Sequence, residues 1–130
     1  MTTLLVDAAN VVGSRPDGWW RDRAGATARL LARLAAVVGR ELPLGDGAPV
    51  RCTAVVVVVE GRARDVPAPA GVELVRAPAS GDDALVEAAA RLGPDVVAVT
   101  ADRGLRDRLP EGVAVAGPGR LLAVLDALGA

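Results

Sequence analysis

The sequence predicts a three-layer α/β/α domain on a mainly parallel sheet of about five strands. Three observations predict it. Strand-like and helix-like segments alternate along most of the chain. Residues Thr53 to Val59 form a nearly pure valine run, too β-branched to prefer a helix and too apolar for a one-sided sheet, which suits a strand covered on both faces. Finally, 130 residues with no internal repeat and no long linker fit one domain, spanning 1–130.

Thr2 to Val6 is short and apolar and ends in Asp7, a buried strand. From about Trp20 to Val38, the residues Ala24, Thr27, Leu30, Leu31, Leu34, Val37 and Val38 share one stripe at helical spacing, with Gly39 placed to end the helix. Leu42 to Pro49 is a Pro- and Gly-rich loop, and the valine strand follows it. A proline-rich, helix-free stretch from Gly61 to Ala70 leads to a strand at Val72 to Arg76. Ser80 begins a helix through about Leu92, with Asp83 completing a Ser-x-x-acid capping box. Asp95 to Thr100 is strand, Arg103 to Leu109 a short helix, Val113 to Ala116 strand, and Pro118 to Leu128 a closing helix.

Composition removes several function classes. The chain has no histidine and one cysteine, Cys52, which excludes an intramolecular disulfide, the usual Cys/His zinc sites and a Ser-His-Asp triad. No apolar run approaches the roughly 20 residues of a membrane span. The opening MTTLLVDAAN carries Asp7 and no basic segment, so no signal peptide is expected and the setting expected is cytoplasmic. All 15 basic residues are arginine, and Lys, Ile, Phe, Tyr, Gln and His are absent. Lys, Ile, Phe and Tyr have A/T-rich codons, so GC-rich coding explains most of the skew, and the arginine count alone says nothing about nucleic acid.

Ligands of an open parallel sheet bind beyond the carboxyl ends of its strands. Asp7 and Asn10 follow the first strand, Glu60 the second, and Thr100 and Asp102 the fourth; Asp82 and Asp83 open the helix after the third. Acids gathered on one edge repel and raise one another's pKa unless a cation neutralises them. Oxygen ligands without His or Cys suit a hard ion, Mg²⁺ or Mn²⁺, which activates water and stabilises displacement at phosphorus. The chemistry this points to is phosphodiester hydrolysis. Each acid also has a plainer role: Asp82 and Asp83 as first-turn acids, Asp102 as a helix N-cap, Glu60 as a solvated strand-end charge. Asp7 is the hardest to explain that way, because it ends a buried strand.

Arg15, Arg21 and Arg23 follow the first strand, Arg62 and Arg64 the second, and Arg103, Arg106 and Arg108 the fourth, where they are placed to meet phosphates or simply to be solvated. Trp19 and Trp20 are the only aromatic residues; a Trp there either staples the start of a helix or stacks on an unpaired base, worth about 1–3 kcal/mol.

At these residues the sequence resembles the PIN-like nucleases, most closely their NYN branch, which includes the YacP-like proteins. LLVDAANVVG resembles that family's opening strand and Asp-x-x-Asn motif, here with Ala8 and Ala9 between the two polar residues. SGDDALVEAA resembles its paired-acid helix start, and VAVTADRGLRDRL its strand, Thr-x-Asp and short helix. The resemblance implies a PIN-like fold and a metal-dependent ribonuclease that uses Mg²⁺ or Mn²⁺, with endonuclease action expected. It implies catalytic roles for Asp7, Asp83, Asp102 and Asn10, and metal binding by Asp7, Asp82, Asp83 and Asp102. The partner expected is single-stranded or structured RNA, contacted by Arg15, Arg21, Arg103 and Trp19, with no membrane and with the Leu121 to Leu128 face available for a homodimer.

Rival enzyme classes separate on sequence. Position 9 is Ala, which excludes the Asp-x-Asp of haloacid-dehalogenase-type phosphatases, and a receiver domain needs a lysine that the chain lacks. No Walker A or GxGxxG loop is present. The alternative from another class is a catalytically silent PIN-like module that binds RNA or a protein partner; a small α/β domain with a nucleotide on its acidic edge is a third.

Overall fold

The structure, a computed structural model, describes residues 1–45 and 47–130. In chain order the elements are β1 (Thr2–Asp7), α1 (Ala8–Val12), α2 (Arg23–Ala35), β2 (Glu41–Leu42), β3 (Val50–Val59), β4 (Val72–Arg76), α3 (Gly81–Leu92), β5 (Val96–Val99), α4 (Arg103–Arg108), β6 (Ala114–Ala116) and α5 (Pro118–Ala127). Five strands run parallel in the order β4-β3-β1-β5-β6, and β2 adds a two-residue antiparallel pair against β3.

The valine run behaves as its composition demands. Val55, Val57 and Val59 face one core, with Leu4 and Val6 of β1 and the apolar residues of α1, α2 and α5. Val56 and Val58 face the other, with Leu5, Leu85 and Ala88 of α3 and Leu105 of α4. Side chains alternate across a strand, so a strand with helices on both faces must be apolar at every position.

Several boundaries differ from the sequence expectation. The second helix starts at Arg23, not Trp20: Asp22 accepts a hydrogen bond from the Gly25 amide and caps it, while Trp19–Arg21 forms a separate 3₁₀ turn. It ends at Ala35, before Gly39. The one-turn helix α1 carries no amphipathic signature and was not expected. The loop expected over Leu42 to Pro49 begins in β2 and includes residue 46, which lies outside the described residues. The capping box at Ser80 does not form, since the Ser80 side chain makes no cap; the Glu60 carboxylate instead takes the Gly81 amide. The Leu121 to Leu128 face is not free for a second copy, because Leu121, Leu122, Val124 and Leu125 are all buried in the chain's own core.

The topology fixes where chemistry is available. The chain builds outward from β1 through β3 to β4, then crosses by way of α3 to β5 on the other side of β1. The strand order therefore reverses between β1 and β5, and a crevice opens beyond their carboxyl ends. Val6 pairs with Val99 across that boundary, so Asp7 and Thr100 leave adjacent strands at one level.

Leu5 is fully buried at the centre of the smaller core. Leu5→Ala is expected to destabilise the fold by about 2–5 kcal/mol, read as a lowered urea midpoint with an unchanged slope. A change under about 1 kcal/mol would contradict the packing described.

Candidate active site at the switch point

Asp7 is the last residue of β1 and the N-cap of α1, and one of its oxygens accepts the Asn10 amide at 3.3 Å. The residue is 8% exposed. Asn10 then reaches across the crevice: its side-chain oxygen accepts the Ala101 amide at 2.8 Å, tying the turn after β1 to the turn after β5. On the β5 side, Thr100 is buried and its hydroxyl accepts the Asp102 amide at 3.2 Å. Asp102 caps α4 through the Leu105 amide at 3.0 Å. Asp7 and Asp102 are thus both N-caps, the plainer role, yet each spends one oxygen on capping and keeps lone pairs on the other.

The electrostatics centre on Asp7. Its pKa is raised from 3.8 to about 6, first by burial, against the lowering effect of the Asn10 amide, and then by the charges of Glu60, Asp82 and Asp102. No arginine is among the groups acting on it. Glu60, expected either on this acidic edge or as a solvated strand-end charge, acts on Asp7 from the turn after β3. Its carboxylate anchors the first amide of α3, and the fit depends on Gly81, where a Cβ would stand 3.2 Å from a Glu60 oxygen.

The paired acids of α3 part company. Asp82 is half-buried and acts on Asp7, whereas Asp83 is exposed and forms an ion pair with Arg108 of α4 at 2.5 Å. Successive residues of an α-helix point roughly 100° apart, so neighbours at its start cannot address one point equally. The same periodicity, applied to the sequence, is the signal that separates them.

Of the residues expected to contact nucleic acid, Arg21 and Arg103 are exposed and form no ion pair among the described residues. Arg15 is engaged with Asp126 at 2.8 Å, where it and Arg33 hold that carboxyl below its usual range. Trp19 is half-buried, edge-on to Trp20, with the Arg23 guanidinium 5.2 Å from its ring centre. Cys52 is buried in β3, and burial pushes its thiol up, as suits an inert core residue.

The donor set around Asp7 is all carboxylate oxygen, which suits a hard divalent ion. Among the described residues no three acids already converge on one coordination point. Mg²⁺ is held in many sites by only one or two carboxylates, with water and substrate phosphate completing the shell.

Two crystal structures match the fold over nearly the whole chain. The chain is similar to Rae1 (YacP) from Bacillus subtilis. It matches that structure with a TM-score of 0.73 at 18% identity, covering 99% of this chain and 76% of the other. A tryptophan-to-leucine variant of Rae1 (YacP) gives 0.69 at 18% identity, covering 99% and 77%. At that identity the likeness to YacP establishes the fold. No family model and no curated protein matches the sequence. No helix among the described residues is long and apolar enough to cross a membrane.

The Asp7 environment has a pH signature. A folded-state pKa near 6 against 3.8 means that the folded protein holds this proton more tightly than the unfolded chain does. The group's stabilising contribution is complete below pH 3.8 and is lost as pH rises through about 6. Asp7→Asn keeps a cap acceptor and removes the buried charge. In metal-free buffer it is expected to stabilise the fold by about 2–3 kcal/mol at pH 7.5, with the gain vanishing near pH 4. Equal or lower stability of the variant at pH 7.5 would contradict this environment.

Proposed function

We propose that the chain is a metal-dependent ribonuclease of the PIN-like, NYN kind, an endonuclease that hydrolyses RNA phosphodiester bonds at the edge between β1 and β5. The observation that carries this reading is the buried Asp7 carboxylate, whose charge is opposed by Glu60, Asp82 and Asp102 and offset by no arginine acting on it. The fold shared with YacP and the three motifs that resemble the NYN family support it.

Asp7, Asp82 and Asp102 would hold Mg²⁺ or Mn²⁺, with Glu60 beside them. When bound, the ion supplies the positive charge that the cluster lacks and that the scissile phosphate requires in the transition state. The chain's own residues build the setting. Asp7 and Asp102 are pinned by capping bonds, so each presents its remaining oxygen from a fixed position. Asn10 acts as a positioning residue, since it locks the two turns that carry those acids. The core beneath Asp7 keeps water off one side of it, which strengthens every charge interaction there. Arg21 and Arg103 meet the RNA backbone from the rim, and Trp19 meets a base; Arg15 contributes less, because Asp126 already holds it. Asp83, implied as a ligand by the resemblance, is assigned to holding α4 through Arg108. RNA as partner and a cytoplasmic setting belong to this reading.

The second reading is the catalytically silent module that binds RNA or a protein. The Asp83–Arg108 pair and the open spacing of the acids favour it.

The deciding experiment incubates purified protein with labelled linear and circular RNA and Mn²⁺ or Mg²⁺. Cleavage abolished by EDTA is expected, including opening of the circle, which only an endonuclease achieves. Asp7→Asn, Asp82→Asn and Asp102→Asn are each expected to lower kcat on the order of 100-fold or more, and Asp83→Asn less than about tenfold. Absence of cleavage by folded wild type across several RNAs and both metals would hand the site to the silent-module reading.

A further inference from the structure

Beside the acid cluster lies a cleft of about 290 Å³ that the sequence did not suggest. Trp19 and Arg23 form one wall, Ala9 and Ala79 open its mouth, and Thr27 and Glu60 supply polar atoms. We propose that this cleft holds one unpaired base of the RNA, next to the phosphate that is cut, so that the substrate is single-stranded at the scissile position. The proposal rests on the ribonuclease reading above and names the form of its substrate.

Position is the first argument. Ala8 and Ala9, which follow Asp7 directly, line the cleft, and so does Glu60 of the acid cluster. A nucleotide whose phosphate lies at Asp7 therefore has its base within reach of this cleft.

Polar chemistry is the second. Thr27 is 3% exposed, yet its hydroxyl makes no hydrogen bond to the described residues. No fully enclosed polar side-chain atom among them lacks a partner. The Thr27 hydroxyl must therefore reach open space, and the cleft is the space it lines. It is a donor and acceptor inside a mostly apolar wall, the mixture by which small sites orient a flat ligand. Arg23 adds donors and Glu60 acceptors, which complement the edges of a nucleobase.

Size and shape are the third. The volume sits just below the range of pockets that hold drug-sized ligands, enough for one planar base and too little for a helix of RNA. Ala9, Gly61, Ala63 and Ala79 give the space by being small, while the indole of Trp19 supplies a flat surface of the kind on which bases stack.

The test reads Trp19 itself. Trp20 is 53% exposed, and Trp20→Phe leaves Trp19 as the sole tryptophan. In the full chain carrying Asp7→Asn and Trp20→Phe, with EDTA present so that nothing is cut, three probes are titrated. These are a ten-nucleotide single-stranded RNA, the same sequence as a blunt duplex, and the same strand with abasic positions. The single strand is expected to quench Trp19 emission and to bind roughly tenfold or more tightly than the other two. Ala79→Leu, which fills the mouth of the cleft from an exposed position, is expected to bring the single strand to the abasic level without lowering Tm. Equal binding of all three probes, no binding of any, or indifference to Ala79→Leu overturns the base cleft. The outcomes separate from those for the nuclease: quenching with this pattern in a protein whose wild type cuts no RNA supports the cleft and fails the enzyme. Cleavage of duplex and single strand alike, unchanged by Ala79→Leu, does the reverse.

Discussion

A carboxylate at the end of a central parallel strand has few ways to be stable. β1 has a neighbour on each edge and helices on each face, so Asp7 stands where the core meets the crevice and has little water of its own. Burial opposes its charge, and Glu60, Asp82 and Asp102 oppose it further. Only the Asn10 amide works in its favour. A buried carboxylate crowded by other acids is unfavourable for folding, and such environments cluster at functional sites, where a bound positive charge relieves the repulsion.

The surrounding structure is arranged to keep that tension in place. The acids are not loose on a surface: two are locked as helix caps, one anchors the start of α3, and one projects from the first turn of that helix. Asn10 joins the β1 and β5 turns, which makes the switch point one unit. Two arginines are engaged by other carboxylates, Arg108 by Asp83 and Arg15 by Asp126. Arg21 and Arg103, by contrast, are exposed and form no ion pair among the described residues.

Much of this was legible in the residues. The valine run announces a strand buried on both faces, and alternation of strands with helices then fixes the parallel sheet. The rule that ligands bind at strand ends puts Asp7 and Asp102 on one edge from the sequence alone. The elements that escaped are those with the least sequence signal: α1 is five residues long and β2 only two. Helix phase, readable in principle, separates Asp82 from Asp83. The role of Glu60 was not readable, because its partner lies 21 residues away and the bond displaces the local capping that Ser80 and Asp83 would otherwise make. The same holds for the cleft, which is assembled from α1, the turn before α2, α2 itself, the turn after β3 and the loop before α3.

The claim on which the rest depends is that Asp7 is a charge-starved carboxylate waiting for a cation. The most direct measurement is an NMR titration of its side-chain carboxyl carbon, with and without Mg²⁺. The account predicts a pKa near 6 in metal-free buffer, falling by more than one unit when Mg²⁺ is added. An ordinary carboxylate value that Mg²⁺ leaves unchanged would contradict it.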